Sequence, residues 1–167
     1  ALTDRLRVLE SAAVARQSTA MMFNEYFGGQ FSPAALRDNE LTAVVSAIAL
    51  RDDSLDQLRR LAATNSAAVV AADSIDDAPE NARFNQAVED FVKANITGQS
   101  ANETVLSVLA NAASITPIFE ASLVVSETYV TLVRAAGQDV NQATEAAQRN
   151  AESRNRTALW LLCMWAV

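Results

Sequence analysis

The sequence predicts an all-α protein, an antiparallel helical bundle of four to six helices with long first, fifth and last helices. Three observations predict it. Half of the residues are apolar but only 6% are aromatic, so the apolar content rests on Ala, Val and Leu, which suit helices. Only four Gly and three Pro interrupt 167 residues. Apolar residues recur in alternating steps of four and three, not at every second position. The length suits one domain with a sizeable core, so 1–167 reads as a single helical-bundle domain.

The first helix is expected over residues 3–27. It should end at Gly28 and Gly29, where glycine admits a left-handed cap. Ser32 and Pro33 then read as N-cap and first-turn proline. Neither Gly nor Pro follows until Pro79, so residues 34–72 are expected to be helical. They form either one helix or two divided at residues 51–54, where Ser54 and Gln57 make a capping-box pattern. Residues 73–79 read as a turn, with Asp77 and Glu80 as a second capping pair. A shorter helix follows and ends near Gly98. Ser100 and Glu103 form the clearest capping box, opening a helix that runs to about Ala136. Pro117 should kink it by removing a backbone donor. Gly137 should end it, and Asp139 should cap the last helix.

Three stripes follow the four–three spacing. One comprises Leu2, Leu6, Leu9, Ala13, Arg16, Ala20, Phe23 and Phe27. A second comprises Leu41, Val44, Ile48, Arg51, Leu55, Leu58 and Ala62. The third comprises Val105, Leu109, Ala112, Thr116, Phe119, Leu123, Ser126, Val130 and Val133. Narrow seams of this kind suit helices crossing at about 20°.

Composition excludes much chemistry. The chain has no histidine, which removes the Ser-His-Asp triad, histidine acid–base catalysis and histidine metal ligation. A single cysteine, Cys163, allows neither an internal disulfide nor a cysteine-based zinc site. No glycine-rich phosphate loop and no Gly-x-Ser-x-Gly elbow occurs. We therefore expect no enzyme, no metal and no cofactor. A net charge of −7 with no basic block argues against nucleic acid as a partner.

Three residues are candidates for ligand binding. Arg16 and Arg51 occupy core-type stripe positions, where a charge must be paired, exposed or bound to an anion. A guanidinium can grip a small anion with two parallel hydrogen bonds. Thr116 precedes Pro117, which frees backbone carbonyls in a long helix. At the C-terminal end, Arg149, Arg154 and Arg156 precede residues 157–167, a run of eleven without a charge that contains Trp160 and Trp165. Arg154, Arg156, Trp160 and Trp165 are the expected interface or membrane-proximal residues. Basic residues before a Trp-containing apolar run have the character of a membrane approach, although eleven residues are too few to span. The segment is expected to be either the start of a span or an interface helix.

The order of elements resembles the extracytoplasmic helical sensor domains of bacterial chemoreceptors and sensor histidine kinases. The resemblance covers the whole chain and rests on architecture: a helical start, a bundle, and a last helix that turns apolar after Arg154 and Arg156. It implies a non-enzymatic domain on the extracytoplasmic, periplasmic face of a membrane, forming a homo-oligomer. It further implies a small, anionic ligand bound between helices and signalling by helix shifts. The alternative is a structural or assembly subunit that uses the apolar C-terminal helix as its interface.

Overall fold

A computed structural model of the chain describes residues 2–31, 37–64, 66–96 and 105–165, without the side chains of 31, 37, 105–114 and 160–165. Every regular element among the described residues is helical. They are α1 (Leu2–Phe31), α2 (Arg37–Leu61), α3 (Ala67–Asp76), α4 (Pro79–Ile96) and α5 (Val105–Trp165). The helices pack as a bundle. α1 lies against α2 and α5, and α3 and α4 also pack on α5.

The observed boundaries depart from expectation where a glycine or serine resembles punctuation. α1 continues through Gly28 and Gly29. Gly29 is there for close approach: a Cβ at this position would lie 2.5 Å from the ring Cζ of Phe91. α2 is unbroken at residues 51–54, and Ser54 Oγ donates to the Leu50 carbonyl instead of capping. The break falls at Ala62, where the chain leaves the helix, and Ser66 caps α3 by accepting from the Val69 N–H. α3 runs on through Asp76, so the expected turn shrinks to Asp77 and Ala78. Pro79 opens α4, where its missing N–H costs nothing.

α5 is one helix of 61 residues with Pro117 inside it. The expected fifth and last helices are thus the same element, and Gly137 does not end it. A lone glycine costs a helix only about 1 kcal/mol, too little to stop one without turn residues beside it. The expected caps at Ser32, Ser100 and Glu103 lie outside the described residues.

The core seam is rotated from the expected row on two helices. On α1 the buried row is Val8, Ala12, Ala15, Thr19, Met22, Tyr26 and Gly29. On α5 it is Ser122, Val125, Tyr129, Leu132 and Ala136, with Ile118 part-buried. Both seams keep the four–three spacing but sit one residue, about 100°, from the expected stripe. Hydroxyls explain the offset. Ser18, Thr19 and Ser122 donate to the carbonyls of Val14, Ala15 and Phe119, so they bury as small side chains. The α2 stripe is observed as expected at Val44, Arg51, Leu55 and Leu58.

The displaced rows still make contacts. Phe27 and Phe119, both on the expected stripes, meet edge to face at 5.6 Å and join α1 to α5. Phe23 and Tyr26 of α1 pack edge-on against Phe84 of α4, at 4.5 and 5.8 Å. Tyr26 also meets Phe91 at 5.6 Å.

Candidate functional site

Arg51 is the charged residue that the sequence pointed inward, and it is buried, only 8% exposed. Its place on the α2 seam sends the guanidinium toward α4. Its Nε donates to Asp52 Oδ1 at 2.8 Å, and a terminal nitrogen donates to Asn85 Oδ1 at 2.7 Å. Asp52 is its neighbour in the chain, but Asn85 lies 34 residues on. Tyr129 of α5 completes the polar centre. Burial pushes its phenol above the ordinary value of 10.0, and the Arg51 charge and a hydrogen bond with Thr19 partly oppose that shift. One turn ahead of Asn85 on α4, the buried Oδ1 of Asn81 has no hydrogen-bond partner among the described residues.

This centre satisfies Arg51 from within. A carboxylate and an amide occupy two faces of the guanidinium, so it ties α2 to α4 rather than facing open space. Arg16 sits differently. The seam passes through Ala15 and Thr19, which leaves Arg16 exposed on α1. It has no hydrogen bond or ion pair among the described residues.

Thr116 is exposed near the Phe27–Phe119 contact. Arg16 lies eleven residues before Phe27, about 16 Å along α1. The fold therefore does not bring Arg16, Arg51 and Thr116 to one place. Arg154 and Arg156 are exposed on α5, whereas the side chains of Trp160, Cys163 and Trp165 lie outside the described residues.

Sequence reasoning missed a cleft of about 400 Å³ where the first turns of α1 meet the end of α2 and the middle of α5. Asp4, Arg5, Ser66 and Gln142 line its polar side, and Val8 and Leu61 its apolar side. Arg5 crosses it, donating to the Asp139 carbonyl at 2.7 Å. No signal in the sequence marks it, because residues 5, 61 and 139 converge only through packing. Arg59 makes a further bridge, from α2 to Asp73 at 3.3 Å and to Asp76, both on α3.

Beyond Ala143 the character of α5 changes. Every residue from 144 to 159 is exposed, so the helix has left the bundle. Among the described residues no helix is long and apolar enough to cross a membrane, and no cluster of carboxylates and cysteine could hold a metal ion. Compared with family models, curated proteins and solved structures, the chain matches none of them.

Proposed function

We propose that the chain is the small-ligand-sensing helical bundle of a membrane receptor. It is non-enzymatic, lies on the extracytoplasmic face, and signals through shifts of α5. One observation carries this reading. α5 is a single helix, seated in the core between Ala121 and Ala136 and bare from residue 144 to 159. A helix packed at one end and free at the other moves as one body. A ligand that favours one packing of the bundle therefore displaces the far end. An antiparallel course for α1 and α5 is supported by Arg5 meeting Asp139 and by Phe27 meeting Phe119.

Arg16 is the proposed anion holder. It is exposed on the side of α1 that carries Phe27, whose ring meets Phe119 of α5 about 16 Å further along the helix. Arg51 has its own partners and holds the bundle together. The test is thermal unfolding of the chain against small anions, amino acids and organic acids, with Arg16→Ala and Arg5→Ala in parallel. A ligand at a hundred times its Kd stabilises by about 2.7 kcal/mol, enough to raise Tm by several degrees. Loss of that rise in Arg16→Ala alone supports the assignment. Loss in Arg5→Ala alone moves the ligand to the cleft. No rise with any compound removes the sensor reading.

A second reading, an assembly subunit, is favoured by the exposed apolar residues Leu2, Leu6, Phe119 and Leu123. It requires self-association that is lost when residues 157–167 are deleted, which light scattering would register.

A further inference from the structure

We infer that the C-terminal part of α5 meets a bilayer end-on, with Arg154 and Arg156 gripping anionic phospholipid headgroups. This inference rests on the membrane-receptor reading and adds the lipid class and the geometry. Among the described residues nothing covers this part of α5, since residues 144–159 are exposed throughout. Arg154 and Arg156 are the last charges before the apolar run, and both are exposed. Two residues apart on a helix, they point to opposite sides, about 160° apart. A helix lying flat on a membrane keeps its cations on one side and its apolar groups on the other. Here the two cations lie on opposite sides of the helix, and the sequence that follows, residues 157–167, carries no charge. That order in the sequence, cations and then an uncharged apolar run, complements an anionic headgroup layer above hydrocarbon. Trp160 falls four residues past Arg156, about 6 Å deeper, at the depth where Trp is favoured.

In residues 144–159 three arginines, Arg149, Arg154 and Arg156, outnumber two carboxylates, Glu145 and Glu152. Glu152 lies on the bundle side of both arginines, where its Oε1 accepts from Gln148, and it forms no ion pair among the described residues. The bundle itself is acidic, with 18 Asp and Glu against 10 Arg and Lys in residues 1–140. It would be repelled by an anionic surface if it were close. Asp139 is 15 residues before Arg154, about 22 Å along the helix. That is nearly three Debye lengths of about 8 Å at physiological salt, so the surface attracts the arginines and scarcely feels the bundle.

Trp160 and Trp165 are the two tryptophans of the chain, so tryptophan fluorescence reports on this segment alone. The experiment titrates the chain with phosphatidylcholine vesicles and with equimolar phosphatidylcholine–phosphatidylglycerol vesicles, reading the fluorescence blue shift and co-sedimentation. Arg149→Gln, Arg154→Gln and Arg156→Gln are compared with the parent, and far-UV circular dichroism confirms equal helicity. We expect partition to favour the phosphatidylglycerol vesicles and to weaken with salt. Arg154→Gln and Arg156→Gln should each lower partition about fivefold. Arg149→Gln lies about 7.5 Å further from the surface and should change it by no more than about twofold. Equal partition into both vesicles, or self-association without partition, overturns the inference. An Arg149→Gln loss as large as the others overturns the end-on geometry. Ligand-induced changes in Tm report on the bundle, so either proposal can fail alone.

Discussion

Gly29 and Gly137 both lie inside helices, and their surroundings set opposite outcomes for an added methyl group. At Gly137 a Cβ would meet nothing within 4 Å, so Gly137→Ala should raise stability by about 0.5–1 kcal/mol through helix propensity alone. At Gly29 the same gain is outweighed by overpacking against the Phe91 ring, which is itself held against Tyr26. Gly29→Ala should lower stability by about 1 kcal/mol net. Urea unfolding of both variants checks the pair. The sequence reads glycine as a break, which neither Gly29 nor Gly137 is, and the neighbour that demands Gly29, 62 residues later, was not legible. Arg51 follows the same pattern: its inward position was readable from the stripe, and its partner Asn85 was not. Tyr129 adds a pH dependence. Its folded pKa is raised above the ordinary 10.0, chiefly by burial, and Tyr26 is raised for the same reason. The unfolded phenols lose their protons first, so stability is level below about pH 10 and falls as pH climbs through the folded values. Tyr129→Phe should make that alkaline fall shallower in urea titrations at pH 9 to 11, by up to about 1.4 kcal/mol per pH unit.

At the scale of the helix, one residue of rotation separates the expected seam from the observed one. Spacing alone could not choose between the two rows of α1, because both repeat at four and three. The larger side chains favoured Leu2, Leu6, Phe23 and Phe27. Packing instead selected Ala12, Ala15 and Thr19, whose small size lets neighbouring helices approach. Ala15→Leu should therefore cost about 1–3 kcal/mol by overpacking, whereas Arg16→Leu, one position on, should stay within about 0.5 kcal/mol. Equal effects at the two sites would return the seam to the sequence-based row. Serines show a related ambiguity. Ser54 resembles a cap in the sequence, whereas Ser66 carries no such pattern. Ser54 has a helical turn on each side and bonds back to Leu50, whereas Ser66 follows a true break and accepts from Val69. α4 was legible as a helix after a turn, but its start was not: Pro79, which the sequence places in the turn, is the first residue of the helix, and Asp77 ends α3.

Across the whole molecule, the all-helical class and the long helices were legible from composition and periodicity. The division of α5 into a packed and a bare part was not, because a helix looks alike in sequence whether or not another helix covers it. This division should appear in hydrogen exchange. A helix of about 20 residues without tertiary partners is marginal in water. Amides of residues 144–159 should therefore exchange orders of magnitude faster than those of residues 121–136, measured by mass spectrometry of the chain. Similar protection along all of α5 would mean that a partner covers it in solution.

The bare part of α5 also determines where a protease can act. Trypsin must unwind several residues to seat them, and arginines on packed helices are shielded by the cost of opening the bundle. Arg149, Arg154 and Arg156 carry no such shield. Brief digestion should therefore trim the chain at these three positions and leave a resistant fragment ending at Arg149. That fragment would carry the whole observed core without the apolar segment, and so would provide a form of the bundle for ligand work.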